Sequence, residues 1–178
     1  MTKNQKLNET AEGLLGKALS PLNKELGCVE ALSNVFRKAF NEELGENDST
    51  RKLYECLLKD PRFEITLFPP VGCIIISPTG SGNGSIKGHV GIVSDQCILS
   101  NNSTSLLWDK HHTITTWKAR YEKLGGMPIK FFSLKDDKAK EDPKVELEKI
   151  QKSAMEIFIA VLKLKIEQLT KLLTKWQN

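Results

Sequence analysis

Cys28 opens a run, residues 28–40, in which Ala31, Leu32, Val35, Phe36, Ala39 and Phe40 recur at helical spacing. A cysteine in the first turn of a helix is placed for nucleophilic chemistry. The unpaired backbone N–H groups there, and the partial positive charge they carry, favour the thiolate and can receive the oxyanion of a tetrahedral intermediate. Such a thiol needs a base. His89 stands in a short apolar run, Gly88-His89-Val90-Gly91-Ile92-Val93, as general base toward Cys28 and then general acid toward a leaving amine. Gly88 and Gly91 are read as leaving open space around its ring for a substrate. The imidazole in turn needs a group that fixes its tautomer. The next run, Cys97-Ile98-Leu99, ends in Ser100-Asn101-Asn102. Because alternate residues of a strand face opposite sides, Asn101 is the first choice for that group and Asn102 the second, with a turn as the other reading of both.

These residues have to be held by strands and helices. Residues 72–102 contain three apolar runs rich in β-branched side chains and bounded by Gly, Pro, Asn and Ser, the pattern of strands joined by turns. Upstream, residues 1–9 are polar and read as frayed, and residues 11–22 carry a modest helical pattern through Leu14, Leu15, Ala18 and Leu19 that Pro21 interrupts. Ser49 or Thr50 caps a short helix over residues 51–59, and residues 63–68 form a first strand closed by Pro69-Pro70. Downstream, residues 114–124 read as a short helix stopped by Gly125-Gly126, and residues 129–134 as the last strand. Helices first and an antiparallel meander afterwards is an α+β plan, with the helices packed on one side of the sheet.

Composition narrows the function. An apolar fraction of 39% and a charged fraction of 27% describe a soluble globular domain. The formal charge of +4 suits an anionic surface such as a cell wall or membrane, yet Lys and Arg are not clustered as nucleic-acid binding requires, so no nucleic acid is expected. Cys28, Cys56, Cys73 and Cys97 show no CxxC pairing, which argues against both a zinc module and a disulfide framework. Cys56, Cys73 and Cys97 are read as core. His111-His112 lie outside any HExxH spacing, so neither a metal nor a cofactor is expected; the pair is read as solvated or substrate-lining, with His112 and Asn102 the candidates to line the substrate, and Trp108 as core or, if exposed beside the cleft, as a substrate-stacking ring. Residues 79–85 form a glycine-rich loop that leads into a strand, a rim rather than a phosphate cradle.

No uncharged apolar run reaches spanning length, and the polar first twenty or so residues lack the core of a secretory signal. The expectation is a protein that stays in the cytoplasm of its producing cell unless another system exports it. Residues 135–143 are a charged linker. Residues 144–178 form one amphipathic pattern with two stripes, the first through Leu147, Ile150, Ala154, Ile157, Val161 and Leu164. Self-association into a homo-oligomer is the first reading of that segment, docking on the preceding domain (residues 1–134) the second, and membrane contact the last.

Gly27-Cys28-Val29 opening a helix, followed by Gly88-His89-Val90-Gly91-Ile92-Val93 and a strand closing in a polar residue, resembles the CHAP branch of the papain-like peptidoglycan hydrolases, related to the NlpC/P60 family. The resemblance covers roughly residues 20–134. It implies a papain-like fold and cleavage of an amide bond in bacterial cell-wall peptides, as an N-acetylmuramoyl-L-alanine amidase or a peptide endopeptidase, with a phage endolysin among the common bearers. It puts Cys28 in the nucleophile's place, His89 in the base's and Asn101 where the family carries Asn, Glu, Asp or His. Gly72-Cys73 departs from the Gly-Asp customary ahead of the first central strand. The alternative from another class is a catalytically inactive wall-binding or assembly protein whose C-terminal helix drives oligomerisation.

Overall fold

The computed structural model describes residues 1–20, 27–45, 49–136 and 155. Its Cα positions divide the chain into two units, Met1–Asp136 and Asp137–Asn178. Of the second, only Met155 is described, and the long amphipathic helix and most of the charged linker expected there lie outside the described residues.

The first unit is α+β. Three helices, α1 (Lys3–Glu12), α2 (Gly27–Phe40) and α3 (Thr50–Lys59), precede strands β1 (Phe63–Ile65), β2 (Ile74–Ser77), β3 (His89–Val93), β4 (Ile98–Asn101) and β5 (Trp108–His112). A helical segment follows, α4 (Ile114–Trp117) continuing as a π-helix over Lys118–Leu124, and then β6 (Lys130–Leu134). The strands form one antiparallel sheet in the order β1-β6-β2-β3-β4-β5. β2 to β5 are the expected meander. β6 returns to the far side of β2 and β1 closes that edge, which the strand pattern did not indicate.

Every residue of β2, β3 and β4 is buried, because both sheet faces are covered. One face packs on α1, α2 and α3 through Ile74, Ile76, Val90, Ile92, Leu99 and Trp108. The other packs Ile75, Val93 and Ile98 against Trp117, Tyr121 and Met127. The expectation of helices on a single side is corrected accordingly. Residues 114–124 turn back over the open face because Gly126, at φ 62°, reverses the chain at their end and β6 then carries it home.

The chain start is ordered rather than frayed. Thr2 and Gln5 form a reciprocal capping box at the N-terminus of α1, and Leu7, Ala11 and Leu14 bury one stripe against α2 and the sheet. Asn4 then ties α1 to β6, its Nδ2 donating to Ser133 Oγ (2.8 Å) and its Oδ1 accepting from Leu134 N–H (3.1 Å). Gly72, at φ 90°, lets the β2 approach pass under that turn, where a Cβ would fall 1.8 Å from Asn4 O. With Leu7 fully buried, Leu7→Ala should lower the unfolding free energy by roughly 2–5 kcal/mol in a denaturant titration; a change of only a few tenths would show that α1 is not part of the core.

Candidate active site

Cys28, the second residue of α2, is half-buried. Burial pushes its thiol up to about 11, while the backbone N–H groups of Val90, Val29 and Cys28 itself pull it back. The hydrogen bond from Val90 places the sulfur beside the start of β3, where His89 precedes Val90. Helix start and strand start therefore meet.

His89 is only 9% exposed and is walled by rings. Its imidazole stacks on Tyr121 at 5.9 Å and 16°, lies 5.3 Å from Trp117 and meets His112 edge-on at 6.3 Å. Trp117 is held in turn, its Nε1 donating to Ser77 Oγ (3.0 Å), and Ser77 is the residue opposite His89 in the β2–β3 register. His112 Nδ1 sits 3.4 Å from Thr116 Oγ1. This packing fixes the ring without a carboxylate. Burial pushes the His89 imidazole down to about 3, and positive charge on His112, His111 and Arg120 adds to the shift. Its Nε2 is buried and has no hydrogen-bond partner.

The segment leading to His89 is anchored by hydroxyls. Thr50 Oγ1 accepts from Thr79 N–H (2.9 Å) and contacts Thr79 Oγ1, which accepts from Gly88 N–H (2.9 Å). Gly88 and Gly91 do not leave space around the histidine. A Cβ on Gly88 would lie 2.3 Å from Ser77 O, and one on Gly91 2.6 Å from Leu99 O. Both positions are glycine because neighbouring backbone already fills the room.

Asn101 lines the same cavity as Cys28 and His89, yet no hydrogen bond joins it to His89, and its Oδ1 is buried without a partner. In register it pairs with Trp108, on the helix-covered side. Its Nδ2 sits over the start of α2, 2.8 Å from where a Cβ on Gly27 would be.

The substrate candidates fare differently. Trp108 is fully buried in the helix-side core with Nε1 donating to Ala11 O (3.0 Å), so it offers no face to a sugar ring. Asn102 shapes the β4–β5 turn, its Oδ1 accepting from Thr104 and Ser105 N–H. His112 stands behind His89 as part of its wall, while His111 lines the cavity. A bulge in the β4–β5 ladder causes that reversal, since β5 advances two residues, Lys110 to His112, while β4 advances one. Tyr121, Arg120, His111 and Lys87 contribute to the site as well. For His111 the substrate-lining reading of the His111-His112 pair pointed there, and for the others only the helical spacing of Trp117 and Tyr121 gave a hint.

Two cavities share Cys28, Lys87 and Gly88: one of about 310 Å³ that also takes in His89 and Asn101, and one of about 180 Å³ bordered by Ser49, Thr50 and Thr79. Among the described residues no group of His, Cys, Asp and Glu is arranged to hold a metal ion, and no helix is long and apolar enough to cross a membrane. Cys73 is buried, with its thiol pushed up to about 12 by desolvation, while Cys56 and Cys97 are half-buried free thiols.

No family model matches the chain, and no curated protein matches it. Among solved structures, a chain of the type VI native effector–immunity complex Tae3–Tai3 from Ralstonia pickettii aligns with a TM-score of 0.50 at 14% identity, covering 76% of this chain and 100% of that one. That likeness concerns the fold alone.

Proposed function

We propose that the protein is a papain-like cysteine hydrolase that cleaves an amide bond of bacterial cell-wall peptides. The observation that carries this reading is the meeting of Cys28, at the start of α2, with the start of β3 at His89 in one cavity. Resemblance to peptidoglycan hydrolases in the residues around Cys28 and His89 supplies the substrate, and the likeness to a chain of an effector–immunity complex is compatible with it.

In this reading the resting pair is a neutral thiol and a neutral imidazole. Substrate binding brings the scissile carbonyl over the first turn of α2. His89 takes the proton from Sγ as the S–C bond forms, and the backbone N–H groups of that turn stabilise the oxyanion. Collapse breaks the C–N bond, and the proton returns from the imidazolium to the leaving amine. Water, deprotonated by the same imidazole, then hydrolyses the thioester. Asn101 serves as the third member through its place against Gly27, where it holds the nucleophile's turn to β4. Residues 1–134 would form the catalytic domain, with residues 144–178 reserved for self-association or docking.

Purified peptidoglycan incubated with the full chain under reducing conditions should release soluble fragments, and mass spectrometry of their new amine and carboxylate termini would identify an amidase or an endopeptidase. The missing Asn101–His89 hydrogen bond favours a second reading, a wall-binding protein without turnover. Binding to peptidoglycan with no fragments released from several wall chemistries would decide for that one.

A further inference from the structure

The cavity of about 310 Å³ beside Cys28 has basic but no acidic side chains among its described lining residues. Lys87 from the loop before β3, Arg120 from the π-helical segment and the imidazole of His111 from β5 all line it, and no aspartate or glutamate does so among the described residues. The chain as a whole carries 26 basic against 22 acidic residues, so the lack of a carboxylate among the described lining residues is not a reflection of overall charge. The rest of the lining that bears on a ligand is neutral and polar, from Ser103, Asn101 and Tyr121. The buried ring of His89 stands at the same wall with one nitrogen unpartnered.

We propose that this cavity binds a peptide carboxylate adjacent to the bond under attack, held by Arg120, Lys87 and His111. The proposal rests on the hydrolase reading and sets its substrate class, acidic peptides that keep a free carboxylate next to the scissile amide. A guanidinium presents a planar fork that takes a carboxylate through two parallel hydrogen bonds, and a lysine beside it adds a point charge. The cavity is at the small end of the range for ligand sites, suited to one or two amino-acid residues rather than a polymer strand.

Occupancy would also act on the base. The groups that face His89 are Ser77 from β2, His111 and His112 from β5, Trp117 from α4, and Arg120 and Tyr121 from the π-helical segment. Burial first holds its ring in the neutral form, and the Arg120 guanidinium adds in the same direction. A carboxylate among them offsets that field and raises the basicity of the imidazole at the moment it must accept the thiol proton. Substrate lacking the carboxylate would meet a weaker base.

The test uses the full chain with Cys28→Ala, which binds without turnover, titrated calorimetrically with N-acetyl-alanyl-glutamate and with the same peptide amidated at both carboxyls. The acid should bind roughly tenfold or more tightly than the amide, a charge-assisted pair being worth at least that. Its advantage should shrink as salt is added, disappear with Arg120→Gln and partly survive with Arg120→Lys. Proton NMR should show the His89 ring titrating at higher pH with the acid bound. Melting temperatures of the variants separate a lost site from a lost fold. Equal affinity for acid and amide, an advantage that survives both Arg120→Gln and Lys87→Gln, or displacement of the acid by an equal concentration of inorganic phosphate would overturn the proposal, the last by showing a general anion site. Fragment release from walls by the unmodified protein is read separately. Acid preference without release removes the hydrolase reading and leaves the site, whereas release from free-acid and amidated walls at equal rates removes the site and leaves the hydrolase.

Discussion

Under the proposed hydrolase reading, Cys28→Ala should abolish release of wall peptides while the protein stays folded, a loss on the order of 10⁴–10⁶-fold if the thiol is the nucleophile. The separation of activity from stability follows from where α2 places its side chains. The core is built by Val29, Leu32, Val35 and Phe36, each nearly or wholly buried, whereas Cys28 is half-buried and borders the cavity. Removing one sulfur at such a position should cost no more than about 1 kcal/mol. Cys28→Ser adds a second arm, since a hydroxyl of similar size keeps the packing but attacks far more weakly than a thiol. The measurement is fragment release alongside a thermal melt. Retained release in the alanine variant would end the covalent mechanism, and a melt lowered by many degrees would make the loss uninformative. Because burial raises the thiol to about 11, alkylation of Cys28 by iodoacetamide in the free protein should be slow at neutral pH and accelerate through the alkaline range.

His89→Gln should lower the rate of peptide release by 10² to 10⁴-fold, the span of a lost general base, with the variant's fold intact. The same side chain shapes stability against pH. Its folded pKa, pushed down to about 3, lies below the ordinary value of 6.5, so between those values the unfolded chain binds a proton that the folded protein refuses. Stability is therefore fully present above pH 6.5 and falls as the pH drops toward 3. His112, pushed down to about 4 mainly by burial, acts in the same direction over a narrower window. The melting temperature of the unmodified protein should decline on going from pH 7 to pH 4, and that of His89→Gln should decline less. Parallel declines would mean that the imidazole is not held neutral in the fold. Activity of the unmodified protein should show no loss near pH 6.5 from protonation of the free base, since His89 is already neutral there.

Much of the scaffold was legible as periodicity. The helical spacing of Val35 and Phe36 with Leu32, the Ser49 cap and the β-branched runs of β2 to β4 each follow from a local rule, and the elements formed within a residue or two of those positions. The start of the chain was misread because the stripe Leu7, Ala11 and Leu14 is sparse among polar residues, and its strength lies in Asn4 reaching β6 far along the chain. Gly88 and Gly91 were misread because a glycine looks the same whether its surroundings are empty or full. Of the two readings of Trp108, core and cleft-side stacking, the fold takes the core one, because the sequence does not say which side of the sheet the ring faces.

The sequence by itself determined the chemistry on offer, a thiol at a helix start and an imidazole at a strand start, because both depend on local patterns. Tertiary structure alone decided what surrounds them. The β4–β5 bulge exchanges the sides of His111 and His112, the return of residues 114–124 over the second face brings Trp117, Arg120 and Tyr121 to His89, and Lys87 arrives from the loop before β3. Facing in a strand reverses with every residue, so one inserted position redirects each side chain after it. Charge around a buried ring is a sum over elements distant in the chain, which no spacing within one element can report.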